Sequence, residues 1–504
     1  MSDRSATLSL GPHLGHLSTI GCRLHGSPQP RIAIAMLLDR IAAQIGAAHV
    51  LTGPDAAPWA RDWMGKYVGA PLAVLRPAST AEVSGILALA HAEGAPIVPV
   101  GGNTGLTGGA IAPGGLILSL ARMNRIRDIR PAARIAIAEA GVILTQLHAA
   151  AARHDMIFPL TFGARGSAMI GGVLSTNAGG SNVLRYGNTR DLCLGVEVVL
   201  ADGRVMDLMS ELHKDNTGYN LRNLIIGAEG TLGIITAAVL KLRPRPRAYV
   251  TAMVALPSLP AALDLLNGIQ AATGGAVEAF EYMPRVFIDQ HLRVFPQARP
   301  PFADRHDVNI LIEIGATAPR DADPLPDGTV PMAAVLQDYL AGMLAGGQVL
   351  DAVIAQNDRE RAEMWARRES AAELMRHFPG PEVDNDICLP LDRVDAFLSR
   401  ALAQVRRVDA GATDFCVSHL GDGNVHYTVH PTSADPALTE AIREAVEDLV
   451  ADLGGSFSAE HGIGQAKLGT MRRRKDPVAL DAMRAVKRAL DPKGILNPGK
   501  VVPD

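Results

Sequence analysis

Apolar residues recur at helical spacing in the segment MLLDRIAAQIGAAHV, which begins at Met36 and predicts an amphipathic helix. The segment APLAVLRPAST then predicts a short strand, and STAEVSGILALAHAEG predicts a second helix. In that helix Ser79 or Thr80 is the expected N-cap, and Gly94 is the expected stop. APIVPVGG follows as another strand. The alternation of strand, helix and strand predicts an α/β layer near the start of the chain.

Further along, short runs of Val, Ile and Leu are cut by glycines, which predicts mixed α+β structure with many tight turns. The segment RPRPR at residues 243–247 indicates a domain boundary, because its prolines and arginines do not suit a packed element. Long helices and further strands follow it. The pattern predicts a disordered tail over residues 1–35, a first domain over 36–246, a second domain over 247–455 and a C-terminal segment over 456–504.

Composition narrows the class of protein. A chain of 504 residues is too long for one ordinary domain, and 48% hydrophobic with 20% charged residues is typical of a globular protein. The net charge of −4 gives no case for nucleic-acid or membrane-surface binding. No apolar run approaches the roughly 20 residues that span a bilayer. Cys22, Cys193, Cys388 and Cys416 are far apart, and the first 35 residues lack a signal-peptide pattern, so we expect a cytoplasmic protein with reduced thiols.

Three of the 15 histidines lie within SHLGDGNVHYTVH, residues 418–430. The segment predicts two strands joined by a turn at 421–424, which would place His419 near His426. Two imidazoles and a carboxylate suit a divalent metal of the zinc type, and Glu460 in SAEHGIG is the candidate carboxylate. His461 beside it could then act as a base. Spacing alone leaves a second interpretation open, in which the histidines only pack or face solvent.

Glycine-rich loops form the other notable pattern. VPVGGNTGLTGGA at residues 98–110 follows a strand, and similar segments occur within 163–205 and in IIGAEGTLGIIT. Glycine permits the backbone conformations that bring several N–H groups onto one anion. None of these segments is a dinucleotide fingerprint or a Walker loop. Three such loops in one domain indicate a long ligand, and a dinucleotide with an uncharged flat ring fits.

Taken in order, the segments PVGGNTGLTGG, GSAMIGGVLSTNAGG, RYGNTRD, KDNTGYNL, IGAEGTLGIIT, HLGDGNVH, EHGIG and LDPKGILNPGK resemble the FAD-dependent D-2-hydroxyacid dehydrogenases of the vanillyl-alcohol-oxidase-type flavoprotein group. The likeness runs from about residue 70 to residue 502, and the members that oxidise D-2-hydroxyglutarate are nearest. The resemblance implies an α+β protein. It has a two-part FAD-binding domain of the PCMH type, a substrate (cap) domain with an antiparallel sheet, and a C-terminal segment that returns to the flavin.

The resemblance also assigns residues to FAD. The cofactor residues it implies are Pro99, Val100, Gly101, Gly102, Asn103, Thr104, Gly105, Gly108 and Gly109 in the first loop, Gly171, Gly172, Asn177 and Gly179 in the second, Ile234 and Ile235 late in the domain, and Asn497 near the C-terminus. Members with covalent flavin carry a histidine in the first loop. Here no histidine lies between Pro99 and Ala110, so we expect FAD to be bound non-covalently.

For the chemistry, the resemblance implies His419, His426 and Glu460 as ligands of a divalent metal. The donor type favours Zn²⁺, with manganese or cobalt as alternatives. His461 is the implied base for the substrate hydroxyl, while hydride passes to flavin N5. Arg368 is the implied partner of the substrate carboxylate.

Three pocket positions depart from the family pattern. Ala372 replaces a threonine, Asp384 or Val383 replaces a lysine, and Thr428 replaces an asparagine that contacts substrate. Chain-wide likeness favours D-2-hydroxyglutarate as substrate, whereas these changes favour D-lactate or another small D-2-hydroxy acid.

Two other functions are compatible with the fold. One is a flavin-carrying electron-transfer subunit without substrate chemistry, and the other is a flavin-dependent transferase acting on an acyl lipid. The intact histidines argue against the first, and the lack of a membrane-binding stretch argues against the second. As partners we expect a small 2-hydroxy acid, an electron acceptor such as an electron-transfer flavoprotein or quinone, and a second copy of the chain in a homodimer.

Overall fold

The computed structural model describes residues 28–504, with side chains from residue 33 onward. The α-helices are α1 Pro28–Ile45, α2 Thr80–Glu93, α3 Leu144–Ala152, α4 Ile170–Thr176, α5 Val183–Tyr186, α6 Leu221–Ile225, α7 Leu259–Ala272, α8 Arg285–Val294, α9 Pro319–Ala322, α10 Pro331–Ala345, α11 Asp358–Glu369, α12 Ala371–Met375, α13 Val394–Val405, α14 Pro436–Asp452, α15 Leu468–Arg474 and α16 Pro477–Leu490. Short 3₁₀ helices lie at Ala47–His49, Gly53–Trp59, Pro131–Ala133, Gly163–Gly166 and Leu391–Arg393.

The β-strands form mixed and antiparallel sheets. They are β1 Val50–Leu51, β2 Ala73–Leu75, β3 Ile97–Val100, β4 Leu116–Ser119, β5 Ile126–Arg130, β6 Ile135–Glu139, β7 Met156–Ile157, β8 Cys193–Val199, β9 Val205–Leu208, β10 Ile234–Lys241, β11 Arg243–Pro244, β12 Ala248–Leu256, β13 Val277–Pro284, β14 Val308–Ala316, β15 Asp351–Ile354, β16 Val383–Cys388, β17 Thr413–His419 and β18 Asn424–His430.

The first helices show how far local sequence sets the elements. In α2 the Ser79 hydroxyl accepts the backbone N–H of Glu82 at 3.2 Å, and Gly94 ends the helix with a φ of 67°, as the sequence predicted. Helix α1 begins at Pro28, whereas the sequence placed residues 28–35 in the loose tail. The rest of that predicted tail, residues 1–27, lies outside the described residues.

Two main sheets and a two-stranded sheet, in which β11 pairs with β7, build the first domain. The smaller sheet has the order β1-β2-β4-β3, with β2, β4 and β3 parallel, and α1 and α2 pack together beside it. The larger sheet has the order β5-β6-β10-β8-β9 and is antiparallel. The first glycine-rich loop, residues 98–110, begins within β3. It therefore starts from the edge of a packed parallel sheet.

The chain leaves the larger sheet at Lys241 and enters a third main sheet at Ala248, on either side of the boundary predicted at residues 243–247. Within this segment Arg243–Pro244 forms the short strand β11, although the sequence predicted no packed element there. This third sheet is antiparallel with the order β15-β12-β14-β13-β17-β18-β16. One face packs on α7, α10, α13 and α14, and the other packs on α8, α11 and α12. We call residues 247–455, which contain this sheet, the cap.

The C-terminal segment returns to the first domain. The N–H of Ile97 donates to the Ile495 carbonyl, and the N–H of Asn497 donates to the Ile97 carbonyl, both at 2.8 Å. A parallel bridge joins Ile97 to Leu496 between them. The C-terminal segment thus extends the smaller sheet at β3, and so returns to the first domain as the resemblance implied. Among residues 28–504, no helix combines the length and apolar character needed to cross a membrane.

Candidate active site

The histidine-rich segment forms the predicted hairpin. Strands β17 and β18 are antiparallel, with His419 opposite Asn424 and Val417 opposite His426. Along β18 the side chains of Val425, Tyr427 and Val429 enter the hydrophobic core, so His426 and Thr428 lie on the other face. The rings of His419 and His426 are 5.3 Å apart, edge to face. Alternation along a strand was therefore enough to place these two histidines together.

Four side chains at this face could hold a cation. The ligand atoms of Asp386, His426, Glu460 and His461 all lie within 4.8 Å of one another. His426 Nε2 is 3.5 Å and His461 Nε2 is 3.8 Å from Glu460 Oε1, and the two rings stack at 5.5 Å. We call these residues the four-residue group. Nitrogen and carboxylate oxygen donors at such distances suit a divalent transition metal.

The group differs from the metal set predicted from the sequence. It contains His426 and Glu460, but Asp386 and His461 take part in place of His419. His419 lies next to the four-residue group, and its Nδ1 is hydrogen-bonded to the carboxylate of Glu281 at 2.9 Å. That bond fixes the ring and leaves Nε2 as the nitrogen able to bind a ligand.

Glu281 is a site residue that the sequence did not reveal. It is fully buried on β13, opposite His419 in the sheet, and its carboxylate also accepts Arg368 Nε at 2.7 Å. Burial alone would raise the pKa of Glu281, but the positive charges and hydrogen bonds of His419 and Arg368 outweigh burial and lower this pKa. The same pairing raises the pKa of His419 against the effect of its burial. Glu281 therefore holds the side chains of His419 and Arg368 in fixed positions.

Arg368, the predicted partner of the substrate carboxylate, lies close to His419. Its Nη2 is 3.4 Å from His419 Nδ1, and the side chain is 9% exposed. Helix α11 is anchored by Trp365, whose Nε1 donates to Glu313 at 2.6 Å. Glu281 occupies the Nε edge of the guanidinium, which leaves Nη1 without a hydrogen-bond partner among the described residues.

Asp386 is a second buried carboxylate that sequence reasoning missed. It lies on β16 opposite His426, and its Oδ2 accepts the backbone N–H groups of Ala459, Glu460 and His461 at 3.1, 3.0 and 2.9 Å. Burial favours the neutral acid, but the charges of His461 and Lys467 with these N–H groups bring the pKa of Asp386 below its usual range. One carboxylate thus sets the backbone from which Glu460 and His461 project.

The loop that carries Glu460 and His461 is tied to the first domain. The carboxylate of Glu229 accepts the N–H of Ile463 at 2.7 Å and that of Gly464 at 2.9 Å. Thr107 Oγ1 donates to the His461 carbonyl at 3.3 Å. Burial raises the pKa of Glu229 despite these backbone donors. The four-residue group therefore sits directly against the glycine-rich loops.

Those loops converge on one place. A Cβ on Gly101 would lie 3.6 Å from the Gly172 backbone N, and one on Gly179 would lie 3.0 Å from Glu460 Oε2. The Asn497 side chain donates from Nδ2 to the carbonyls of Gly109 and Glu229 at 3.0 and 2.8 Å. The first loop, the second loop, the C-terminus and the histidine site are thus in mutual contact.

Backbone conformation marks the same region. Among the described residues, the non-glycine residues with φ near +50° include Asn103, Asn177, Glu229 and Asn497, at 52°, 50°, 50° and 42°. L-residues adopt this conformation at a cost, and it concentrates at ligand-binding sites. The three asparagines are all cofactor residues in the sequence prediction.

Some glycines of the loops leave room for a large ligand, and others are packed against neighbouring atoms. Positions Gly105 and Gly172 have no atom within 4 Å of a built Cβ, so they face open space. Asn497 Oδ1 is buried without a hydrogen-bond partner, as expected for a group awaiting a ligand donor. Other predicted glycines have a packing role instead, since a Cβ on Gly171 would meet the Ala140 Cβ at 2.7 Å and one on Gly102 would overlap the Ser167 carbonyl.

The remaining predicted cofactor positions lie around these loops. Ile234 and Ile235 begin β10, pair with β8 through their backbones and bury their side chains. Pro99 and Val100 end β3, and a Cβ on Gly230 of the third loop would overlap Pro99. Thr104 lies between Asn103 and Gly105 in the first loop, with its side chain half-buried, and Gly108 packs against Tyr67 and Gln465.

Together, the mixed and antiparallel sheets of the first domain, the cap and the glycine-lined cleft define a flavoprotein oxidoreductase of PCMH-type fold. The model of FAD linked oxidases, C-terminal domain, matches residues 245–501, and the model of the FAD binding domain matches residues 71–209. The chain belongs to the family of FAD-linked oxidases.

Curated relatives match over nearly the whole chain. D-2-hydroxyglutarate dehydrogenase of Xanthomonas citri pv. viticola is 35% identical, covering 91% of this chain and 95% of the relative. The mitochondrial D-2-hydroxyglutarate dehydrogenase of Bos taurus is 35% identical, covering 92% and 84%. The bacterial protein of that name from Stutzerimonas stutzeri is 31% identical, covering 92% and 98%.

Solved structures agree on the fold. p-Cresol methylhydroxylase with substrate bound superposes with a TM-score of 0.72 at 16% identity, covering 94% of this chain and 98% of that one. Alkyldihydroxyacetonephosphate synthase gives 0.68 at 17% identity, covering 92% and 84%. These distant structures bear on architecture alone.

Proposed function

We propose that this protein oxidises a D-2-hydroxy acid to the 2-oxo acid, with bound FAD as the hydride acceptor. The observation that carries this proposal is the contact between the four-residue group and the glycine loops. Thr107 bonds the His461 backbone, and Glu229 bonds the backbone two and three residues further on. A substrate held by the histidines would therefore lie beside the flavin cleft, as hydride transfer requires.

His461 is assigned the role of base for the hydroxyl proton. Its Nε2 edge faces Glu460 at 3.8 Å and its Nδ1 edge faces Asp386 at 3.7 Å. Asp386 also fixes the backbone of His461, so the imidazole is positioned before substrate binds. A positioned base of this kind typically contributes about 10²–10⁴-fold to a rate.

A divalent metal fits the donor set, with His419 Nε2, His426 and Glu460 as its proposed ligands. His419 has only Nε2 to offer because Glu281 occupies Nδ1. His426 Nε2 already faces Glu460 Oε1 at 3.5 Å. Zinc is our first choice for two imidazoles and a carboxylate. When bound, such an ion would stabilise the alkoxide that develops as the hydroxyl loses its proton.

Arg368 is proposed to bind the C1 carboxylate of the acid. Its side chain is fixed by Glu281 at Nε, and Nη1, which has no hydrogen-bond partner among the described residues, is left to donate to a carboxylate. An arginine held by a buried carboxylate is pre-ordered, so little entropy is lost when the substrate binds.

We also propose partners and a compartment: an electron-transfer flavoprotein or a quinone as the electron acceptor, a homodimer, and a cytoplasmic location. Cys193, Cys388 and Cys416 are free thiols, which suits a reducing compartment.

The test is anaerobic reduction of the purified yellow protein. D-2-hydroxyglutarate, the substrate in the names of the relatives, is added alongside D-lactate and other short D-2-hydroxy acids, with each L-enantiomer as control. We expect at least one D-acid to bleach the oxidised flavin and its L-enantiomer to leave it oxidised. Reduction by none of the acids would contradict the proposal and favour a flavin-carrying subunit without substrate chemistry.

A further inference from the structure

The face that bears the four-residue group continues along the cap sheet. Strands β16 and β18 pair Asp386 with His426 and, two residues along, Asp384 with Thr428. Side chains two residues apart on a strand lie on the same face. Thr428 Oγ1 donates to Asp384 Oδ1 at 3.0 Å. We call Asp384 and Thr428 the distal pair.

The distal pair lies on the same face of β16 and β18 as Asp386 and His426. Burial raises the pKa of Tyr67, the Arg443 charge opposes this, and the charges of Asp62 and Asp384 add to it. The ring of Tyr67 in turn packs on the first glycine loop, since a Cβ on Gly108 would lie 2.9 Å from its Cγ. Asp384 is exposed, so its carboxylate is accessible to a ligand on this face.

Spacing relates the distal pair to the substrate. Two residues along a strand cover about 7 Å. A two-carbon side chain places its terminal heteroatom about 4 Å from C2 of a hydroxy acid, and a hydrogen bond adds about 3 Å, so the two lengths together match this spacing. With the reacting carbon at His426 and His461, the end of such a side chain reaches the distal pair.

The hydrogen-bonding state of the pair determines which side chain it accepts. The Thr428 hydroxyl donates its only proton to Asp384, so both side chains present only acceptor oxygens to a ligand. Two cations affect neighbouring groups. The charge of Lys66 acts to lower the pKa of Glu382, and the charge of Arg443, which is already paired with Glu440 at 2.7 Å, acts to lower the pKa of Tyr67. Neither replaces the missing donor at the pair itself. A second carboxylate would meet acceptors and negative charge, whereas a donor would be satisfied.

We propose that Asp384 and Thr428 form a distal subsite, which selects a monocarboxylic D-2-hydroxy acid whose side chain ends in a hydrogen-bond donor. This inference rests on the proposed function. A hydroxyl and an ammonium share this chemistry. A dicarboxylic acid, including the D-2-hydroxyglutarate of the relatives' names, is disfavoured at this subsite.

The experiment compares four-carbon acids that differ only at C4, using the holoenzyme under nitrogen. They are D-2,4-dihydroxybutyrate, D-4-amino-2-hydroxybutyrate, D-2-hydroxybutyrate and D-malate, with D-2-hydroxyglutarate as a fifth. We expect the apparent second-order constant of flavin reduction for one of the two donor acids to exceed that of each dicarboxylate at least tenfold. Which of the two is faster distinguishes hydroxyl from ammonium.

Charge reversal provides the matching test. Asp384→Lys should raise the constant for D-malate or D-2-hydroxyglutarate at least tenfold and lower that for the donor acid. Asp384→Asn keeps the shape and should reduce the preference without reversing it. Asp392→Lys makes the same charge change at a side chain that is 70% exposed and should leave the preference as in the wild type.

Two results would overturn the inference while leaving the proposed function intact. One is a wild-type protein reduced fastest by a dicarboxylate, and the other is an Asp384→Lys variant, with normal flavin content, whose preference is unchanged. If no acid reduces the flavin, the proposed function itself fails, and that outcome is distinct from either.

Discussion

The glycine loops shape their side of the cleft through backbone conformation, whereas the cap shapes the opposite side through buried ion pairs. In the loops, Asn103, Asn177 and Asn497 hold left-handed conformations, and Gly105 and Gly172 leave space where side chains would be. In the cap, Glu281 and Asp386 hold the histidines by side-chain and backbone hydrogen bonds. The loops are thus shaped for a large flat ligand, and the cap is shaped for directional chemistry on a small one.

This contrast has an energetic side. Backbone strain costs of the order of 1–3 kcal/mol per residue and can be repaid when a ligand fills the loop. Removing one partner from a buried ion pair costs about 3–5 kcal/mol, since the other charge stays buried. Substitutions in the loops should therefore affect cofactor binding first, and substitutions in the cap should affect chemistry first.

The largest expected effect is from His426→Ala. Removing this imidazole takes away one proposed ligand, so we expect metal content and flavin reduction to be lost together while FAD stays bound. Elemental analysis and the flavin spectrum of the purified variant measure the two. Full metal occupancy in His426→Ala would show that the ligand set is wrong.

His461→Ala should separate proton transfer from binding. We expect FAD and metal to remain and flavin reduction to slow at least about 100-fold, within the range for a lost base. Anaerobic stopped-flow with the best acid of the panel gives the rate. Reduction at the wild-type rate would remove His461 from the role of base.

A pair of adjacent glycines tests the loop side. Gly172→Ala adds a methyl group to open space, so we expect the apoprotein to keep its thermal midpoint while FAD affinity falls about tenfold, or roughly 1.4 kcal/mol. Gly171→Ala forces its methyl group onto Ala140, so we expect a loss of about 1–3 kcal/mol in apoprotein stability. Equal effects of the two variants on stability would contradict this division of roles.

The smallest expected effect is at His430, the third histidine of the cluster. Its ring stacks on Phe378 at 4.6 Å, on the side of the hairpin away from the turn. His430→Phe keeps an aromatic ring there, and we expect metal content and flavin reduction to stay within about twofold of the wild type, well under 1 kcal/mol. Loss of metal in this variant would bring His430 into the site.

The sequence predicted what depends on neighbours in the chain. The hairpin of β17 and β18 was predictable because both strands alternate and the turn between them is short. The caps of α2 follow from Ser79 and Gly94 for the same reason. The resemblance to a known family added the glycine loops and the return of the C-terminus.

What was missed depends on strand order across the cap sheet. Glu281 reaches His419 only because β13 pairs with β17, and Asp386 reaches His426 only because β16 pairs with β18. Neither pairing leaves a local pattern, since the partners are separated by long stretches of chain. Asp386 lies in the segment NDICLP, residues 385–390, but nothing in that segment indicates that its carboxylate accepts three backbone N–H groups from beyond α14.

The bridge between Ile97 and Leu496 has a consequence for how the protein is made. Translation delivers the first domain early, yet the edge of its smaller sheet is completed by residues that are made only after the whole cap. Until then Gly109 lacks the amide of Asn497, and the flavin cleft is unfinished. Shortening the chain before Ile495 is therefore expected to empty the enzyme of its cofactor.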